Sequence, residues 1–303
     1  MNAYEIPLVI FTVFSQWAVG ITIAVALLEW TKPKYMNTVG KKALPVSIYT
    51  ALVVSVVGTM ASVLHINNPL MGVTTLFGLG SSWLSREIVA VIFFNLSLFV
   101  LAYLWWKKSD QDSVRKHVGT LTALLGVVLV ISSAMVYFSM ELHPTWNNWT
   151  TFANFLLTSL LLGALTVAFF VLKRKQDVAK AEKTGAGQSK EPEAAETGVM
   201  KLLSIYLAVE IVLLLVTIGS TAMISTGAIE SQIAASISFT SIMFWVRILC
   251  SLLIPAAVLV FMVKGKNSGA AKALFLATLF VLIGELSGRG MFYYSVMSQY
   301  PWF

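Results

Sequence analysis

Charged residues and cysteine are both scarce in this sequence. Asp, Glu, Lys and Arg make up 12% of the 303 residues, whereas a soluble protein carries about 25%. Cys250 is the only cysteine. A single thiol cannot form an internal disulfide, and it cannot hold an iron–sulfur cluster, which takes about four protein ligands. The composition therefore excludes an ordinary soluble protein, and any iron–sulfur cluster that serves this protein belongs to a partner.

Apolar residues are abundant instead, at 57% of the sequence with a mean hydropathy of +0.81. About 20 apolar residues of helix are enough to cross a bilayer, and runs of that length predict an all-α polytopic membrane protein with eight transmembrane helices. The predicted spans are Leu8–Glu29, Ala43–Leu64, Ser85–Trp106, Val118–Met140, Phe152–Leu172, Met200–Met223, Thr240–Val263 and Ala271–Tyr294. Residues 1–303 are thus expected to form a single integral membrane domain. No basic segment precedes the first span, so it does not resemble a cleaved signal peptide.

The distribution of Lys and Arg predicts how the spans are oriented. All but three of the 21 basic residues lie in the first, third, fifth and seventh connections or within two residues of them, and the other connections contain no lysine. Basic connections stay in the cytoplasm, so we expect both termini on the outer, periplasmic side. The net charge of +7 then reflects topology rather than nucleic-acid binding.

One connection is strongly polar. Residues 173–198 (KRKQDVAKAEKTGAGQSKEPEAAETG) combine mixed charge with Gly and Pro and lack large apolar residues. This composition is typical of disorder. We therefore predict a disordered cytoplasmic linker here, which divides the protein into five spans and three.

The histidines argue against bound haem. A membrane-embedded b-type haem commonly takes two axial histidines near the middle of the bilayer, but His65, His117 and His143 all lie at the ends of spans. We expect no haem, iron–sulfur cluster or metal in this protein. Without such cofactors the protein cannot carry electrons across the membrane. Any electrons that it takes from a substrate would therefore have to pass to a partner at the outer face.

His65 and Glu87 flank the connection between the second and third spans. The stretch Ser62–Glu87 (SVLHINNPLMGVTTLFGLGSSWLSRE) puts His65 at the end of one span and Glu87 at the start of the next. Ionisable groups are costly in a membrane and often functional. Quinol oxidation needs a base for its protons, and histidine, with an ordinary pKa of about 6.5, suits that task, while a glutamate can relay the proton to water. The structural alternative is a helix-ending histidine bonded to a carbonyl.

Further polar side chains fall in the outer halves of spans or at their ends, namely Gln16, Arg86, Arg247, Glu285 and Arg289. Each has a structural alternative to a role in orienting a quinone. Gln16 can join helices, Arg247 can extend its head to the surface, and Glu285 and Arg289, four residues apart, can pair on one helix. Gly284 and Gly288 give that helix a face for close packing.

Other polar and aromatic residues have simpler interpretations. Glu210 falls near mid-bilayer, where a carboxylate is expected to be neutral or paired. Tyr137, Trp146 and Trp149 are typical of an interfacial aromatic belt. His143 precedes a proline and is expected to be a solvated loop residue.

The sequence as a whole resembles the membrane anchor subunit of anaerobic dimethyl sulfoxide reductase, the DmsC family. The resemblance rests on FTVFSQWAVG, ASVLHINNP, SREI, PTWNNWT, FWVRIL and GELSGRGMFYY, which follow one another in family order. It implies an anchor in the bacterial inner membrane that oxidises menaquinol near the periplasmic face. It also implies two partners, an iron–sulfur electron-transfer subunit and a molybdopterin catalytic subunit.

The same resemblance suggests roles for individual residues. The family's quinol-associated His and Glu correspond to His65 and Glu87, and its last-helix motif corresponds to Glu285 and Arg289. The family often has a basic residue after the proline of the second connection, whereas Leu70 follows Pro69 here. A secondary transporter and a purely structural anchor are the alternatives.

Overall fold

The computed structural model describes residues 5–31, 40–65, 74–108, 110–183, 191–227, 229–264 and 269–297. Within these ranges the protein is helical, with a short 3₁₀ turn at Thr74–Gly78 and no strand. The helices are α1 Ile6–Thr31, α2 Gly40–His65, α3 Trp83–Lys107, α4 Asp112–Phe138, α5 Trp149–Lys183, α6 Glu191–Ile224, α7 Ile229–Thr240, α8 Ile242–Lys264 and α9 Ala270–Met297.

Eight of these helices are long and apolar enough to cross a membrane, which confirms the eight predicted spans. The exception is α7, a 12-residue helix before α8 that lies outside every predicted span except at its last residue. At about 1.5 Å per residue, a helix of this length is too short to cross a bilayer. Ser241 separates the two helices, since its hydroxyl accepts a hydrogen bond of 3.2 Å from the Met243 N–H and caps α8.

The structure contains helix where the sequence predicts a disordered linker. Helix α5 continues to Lys183 and α6 begins at Glu191, while residues 184–190 lie outside the described residues. Ala, Lys, Glu and Gln dominate this segment and are strong helix formers. They allow both helices to extend beyond their apolar spans.

Helix α1 lies at the centre of the bundle and packs against α2, α4, α5 and α9. Its contact with α5 depends on two glycines. A Cβ on Gly20 would lie 1.7 Å from the Ser159 carbonyl oxygen, and one on Gly163 would lie 2.0 Å from the Gly20 carbonyl carbon. The backbones can therefore approach this closely only because both positions lack a side chain.

The two ends of the bundle differ in character. At one end α2 ends at His65 and α3 begins, and we call this the Glu87 end. The other, the lysine-rich end, contains a buried ion cluster in which Arg115 Nε contacts Glu29 Oε1 at 2.8 Å and Nη2 contacts Asp112 Oδ1 at 2.8 Å. The Arg115 guanidinium also lies 4.0 Å from the centre of the Trp105 ring. This cluster joins α1, α3 and α4. The outward orientation of the Glu87 end stays a prediction.

Candidate functional site

Glu87 lies in the second turn of α3 and is buried, with 5% of its surface exposed. The Ser133 hydroxyl of α4 is close enough to hydrogen-bond its carboxylate. Its Oε1 has no hydrogen-bond partner among the described residues. Because a buried, unpartnered carboxylate oxygen is costly, this atom is a candidate for contact with a ligand.

His65 is the last residue of α2. Its side chain lies outside the described residues, as do residues 66–73 that follow it. Helices α2 and α3 pack together, and the Ser55 hydroxyl donates to Asn95 Oδ1 at 2.9 Å across this contact. The pairing of α2 with α3 therefore places the backbone of His65 at the same end of the bundle as Glu87.

Arg86 serves the connection rather than the buried site. Its Nε donates to the Leu79 carbonyl at 3.0 Å and its Nη2 donates to the Gly80 carbonyl at 3.0 Å. The guanidinium also lies 4.2 Å from the centre of the Trp83 ring. These contacts hold the described part of the connection against the start of α3.

A pair of buried tyrosines lies next to Glu87. The Tyr137 and Tyr293 hydroxyls are 2.7 Å apart, and both interact electrostatically with the Glu87 carboxyl. The Tyr293 hydroxyl also hydrogen-bonds Thr12 of α1. This pair was not identifiable from the sequence, because its members are 156 residues apart and tyrosine near a span end usually lies in the interface.

The prediction of an interfacial aromatic belt is wrong for Tyr137 and Trp146. Both are buried and pack with Phe292 and Tyr293, and Tyr137 also packs with Phe155. The Trp146 indole donates to the Phe292 carbonyl at 2.7 Å. Only Trp149 of the three predicted belt residues is exposed. A buried aromatic cluster forms here because α4, α5 and α9 meet at this end.

His143 is half-buried in the described loop between α4 and α5, with its ring edge against Trp146. Burial lowers the pKa of His143 from its ordinary value. It is therefore less solvated than the sequence predicts.

Arg289 of α9 connects to α1. Its Nη2 donates to Gln16 Oε1 at 3.0 Å, and its guanidinium lies 3.6 Å from the centre of the Phe155 ring. Gln16 Nε2 and Arg289 Nε are buried without partners in the described part of the protein. Gln16 therefore joins two helices as the structural interpretation required, yet both side chains keep a free hydrogen-bond donor.

Glu285 does not pair directly with Arg289. Its Oε2 accepts a hydrogen bond of 2.6 Å from the Thr158 hydroxyl of α5, and no ion pair within 4.0 Å joins the two residues in the described structure. The ion pair that the sequence allowed on one helix surface is therefore not formed in the described structure, because α5 and α1 supply separate partners for the two side chains.

Arg247 corrects a second expectation. It does not extend to the surface but is buried, with its Nη2 3.5 Å from Glu210 Oε1 of α6 and 3.2 Å from Asn154 Oδ1 of α5. Glu210 is therefore paired, one of the two states that the sequence allowed. The partner was not identifiable from the sequence, because 37 residues separate the two.

The glycines of α9 confirm the predicted face for close packing. A Cβ on Gly284 would lie 2.1 Å from the Ser251 hydroxyl, and one on Gly288 would lie 2.9 Å from Arg247 Cδ. Ser251 belongs to a π-helical turn, Ile248–Leu253, inside α8, and the Tyr206 hydroxyl donates to its carbonyl at 2.6 Å. Such turns leave backbone groups without regular partners and often occur at functional sites.

These residues border a small cavity between α5, α6, α8 and α9, which we call the polar chamber. Its volume is about 70 Å³, whereas pockets for organic ligands typically measure about 300–1,000 Å³. Eleven Ser, Thr and Asn side chains line it together with Arg247, Glu285 and Arg289. The chamber is thus polar, charged and too small for a ring system.

The predicted site residues therefore fall into groups. Glu87 lies with the two tyrosines. Arg247, Glu285 and Arg289 line the polar chamber. Gln16 lies between these groups through its bond to Arg289, and Arg86 has its own contacts in the connection. The backbone of His65 shares the end of the bundle with the first group.

A bundle of eight membrane-spanning helices with ionisable groups buried between them defines a class of polytopic membrane protein, and sequence comparison identifies the family within it. The model of the family described as DMSO reductase anchor subunit (DmsC) matches residues 1–294. The protein belongs to this family, which confirms the resemblance.

Known relatives agree with this assignment. The protein is 31% identical over 173 residues to the C subunit of anaerobic dimethyl sulfoxide reductase of Haemophilus influenzae, covering 56% of this sequence and 59% of that one. It is 34% identical over 169 residues to the anaerobic dimethyl sulfoxide reductase subunit YnfH of Escherichia coli, covering 54% and 57%. The C subunit of the Escherichia coli reductase is 30% identical over 168 residues, covering 54% and 56%. The matches thus span a little over half the length of these relatives.

Proposed function

We propose that this protein is the membrane anchor of a dimethyl sulfoxide reductase-like complex and that it oxidises menaquinol near the periplasmic face of the bacterial inner membrane. Membership of the anchor family supports the anchor role. The observation that best supports quinol oxidation is the buried Glu87 carboxyl, whose Oε1 has no partner in the described structure. This carboxyl lies at the end of the bundle where α2 ends at His65.

The proposed chemistry uses His65 and Glu87 as proton acceptors. Menaquinol loses two electrons and two protons when it is oxidised. His65 takes the first proton, since an imidazole is a suitable base near neutral pH. Glu87 acts as its relay or as the second ligand, with Ser133 and the tyrosine pair around its carboxyl. The protons are released on the outer side.

Electrons leave to a partner in this proposal. An iron–sulfur subunit accepts them and a molybdopterin subunit reduces the terminal acceptor. Five further residues are predicted to orient a quinone, namely Gln16, Arg86, Arg247, Glu285 and Arg289. Of these, Arg86 holds the connection, and Arg247 and Glu285 line the polar chamber, which is too small for the quinol ring. Gln16, which accepts a hydrogen bond from Arg289, supports a contact that orients a quinol oxygen, because its Nε2 is a buried donor without a partner in the described structure.

Binding of a menaquinol analogue to membranes with the whole complex tests this function. We expect that His65→Ala and Glu87→Gln each weaken binding at least about tenfold, because a hydrogen bond to a charged group contributes about 1.5–3 kcal/mol. Glu141→Gln is the matched control, since Glu141 is an exposed carboxylate in the loop after α4 at the same end of the bundle.

Two results together would contradict the proposal. They are unchanged analogue binding and unchanged quinol-dependent turnover in both variants, with the complex still assembled. A purely structural anchor would then be the better interpretation. Substrate uptake into vesicles that contain this protein alone would instead favour a transporter.

A further inference from the structure

The polar chamber contains more hydrogen-bonding groups than the protein itself satisfies. Four residues of its lining, Thr145, Thr217, Arg247 and Arg289, each have a buried polar atom with no partner in the described part of the protein. Buried polar groups are normally paired with protein or water. A polar cavity of this kind therefore calls for bound water.

The size of the chamber agrees with this requirement. One water molecule needs about 10–15 Å³ of cavity volume, and the chamber offers about 70 Å³. It therefore has room for a few water molecules but not for an organic ligand. Both its volume and its unsatisfied lining groups therefore suit bound water.

The chamber also reaches from the end of the bundle into its interior. Thr145 and Asn148 belong to the loop before α5, and Ser295 lies in the last turn of α9. Glu285 lies ten residues before Ser295 on the same helix, so the two residues are about 15 Å apart along the helix axis. Water in the chamber would thus connect a buried carboxyl to the surface at the Glu87 end.

Glu285 is the acidic group in this lining, and Glu210 lies just beyond it. Two buried guanidinium groups, those of Arg247 and Arg289, face Glu285, and Arg247 also pairs with Glu210. Two cations and two carboxyls make this cluster neutral when all four are charged. When Glu285 takes up a proton, the net charge of this buried cluster therefore changes only from zero to +1.

We propose that the polar chamber is a water-filled proton-release site and that Glu285 is its proton-transfer group. The proposal rests on the proposed function, because the proton is one of the two that menaquinol loses. An O–H bond of the quinol breaks at the quinol site, and the proton passes through chamber water to the Glu285 carboxylate, which forms an O–H bond. That bond then breaks as Glu285 returns the proton to chamber water that leads to the outer side. The electron pair goes to the iron–sulfur partner.

Thiol labelling tests the water content independently of quinol chemistry. In a Cys250→Ser background, Ser220→Cys and Thr221→Cys introduce thiols into the chamber lining, and Leu215→Cys on the lipid-facing side of α6 is the control. The probe is the thiol-reactive silver ion, Ag⁺, which is small enough to enter the chamber, added to the outer side of cells that contain the whole complex. Its reaction is measured as the loss of thiols that a maleimide can label after unfolding. Since the reactive thiolate forms in water and not in hydrocarbon, we expect the chamber thiols to react at least about tenfold faster than the control. Equal rates would overturn the proposal.

Glu285→Gln in the whole complex tests the proton transfer. We expect menaquinol-analogue binding and thermal stability to stay unchanged while quinol-dependent turnover falls at least about 100-fold, the lower end of the effect of a general base. Glu285→Asp should restore part of the turnover and shift its pH profile. Unchanged turnover would overturn the proposal, and so would lost analogue binding, which would make Glu285 a quinol ligand.

The two proposals fail separately. If His65→Ala and Glu87→Gln leave analogue binding and turnover unchanged, quinol oxidation at that site is wrong, whatever the labelling shows. If those variants lose binding and the chamber thiols stay unreactive, only the water-filled site is wrong.

Discussion

At the scale of single residues, two buried arginines in the described structure have carboxylate partners. Arg115 contacts Glu29 at 2.8 Å with both side chains about 1% exposed, and Arg247 contacts Glu210 at 3.5 Å. Ionisable groups inside a membrane bundle are costly without a partner. The first pair lies at the lysine-rich end, away from the candidate site, so it can be tested for stability alone.

Arg115→Met should lower the free energy of unfolding by about 3–5 kcal/mol, because it leaves the Glu29 carboxylate buried without its partner. Equilibrium unfolding in mixed detergent micelles measures this change. Lys42→Met is the control, since Lys42 is exposed, and it should have little effect.

The double variant Glu29→Gln/Arg115→Met separates loss of the pair from loss of packing. It removes both charges and should regain a large part of the stability that Arg115→Met loses. An Arg115→Met protein as stable as the Lys42→Met protein would show that the ion cluster contributes nothing.

At the scale of helices, close contacts rather than side-chain interlocking set two of the main interfaces. Gly20 and Gly163 bring the backbones of α1 and α5 together. On α9, Gly284 lets Ser251 of α8 approach closely, and Gly288 makes room for the Arg247 side chain. A methyl group at these contacts meets backbone or a buried side chain. The helices then have to move apart, which also shifts the residues that they carry.

Gly163→Ala should therefore destabilise the protein by about 1–3 kcal/mol, the usual cost of overpacking. Gly219→Ala is the matched control on α6, where a Cβ meets no atom within 4 Å. That variant should be neutral or slightly more stable, since alanine is the better helix former. Equal unfolding free energies for the two variants would argue against a tight α1–α5 contact.

The π-helical turn of α8 makes a second prediction at this scale. Tyr206→Phe removes the hydroxyl that donates to the Ser251 carbonyl and should cost about 1–3 kcal/mol, because that carbonyl stays buried without its partner. Tyr103→Phe serves as the control, since Tyr103 is exposed on the surface of α3. If both variants unfold alike, the hydrogen bond does not stabilise the turn.

At the scale of the whole molecule, the orientation in the membrane decides where quinol protons appear. The lysine distribution predicts that the Glu87 end faces the periplasm. Because both proposals place proton release at that end, the opposite orientation would release protons into the cytoplasm and change the energetic consequence of turnover.

Labelling of single cysteines tests the orientation. Glu141→Cys lies in the exposed loop at the Glu87 end, and Asp110→Cys lies in an exposed turn at the lysine-rich end. In a Cys250→Ser background, an impermeant thiol reagent outside intact cells should label the first and not the second. The reverse pattern would contradict the predicted topology.

The sequence by itself determined the number and approximate limits of the eight spans. Long apolar runs are sufficient for this, because a bilayer requires helices of nearly fixed length. The sequence also marked Glu87, Arg247, Glu285 and Arg289 as candidate site residues, since charge inside a span is costly. It did not predict α7, whose 12 residues carry no spanning signal.

Only the tertiary structure decided which of these groups meet. Tyr137 reaches Tyr293 across 156 residues, Arg289 reaches Gln16 across 273, and Arg247 turns inward to Glu210. In a soluble helix the apolar stripe marks the buried face, but in a membrane the lipid-facing and core-facing sides are both apolar. The pattern along each span therefore does not specify its neighbours, and these are decided where helices fit closely together, as at Gly163 against α1 and at Gly288 beside Arg247.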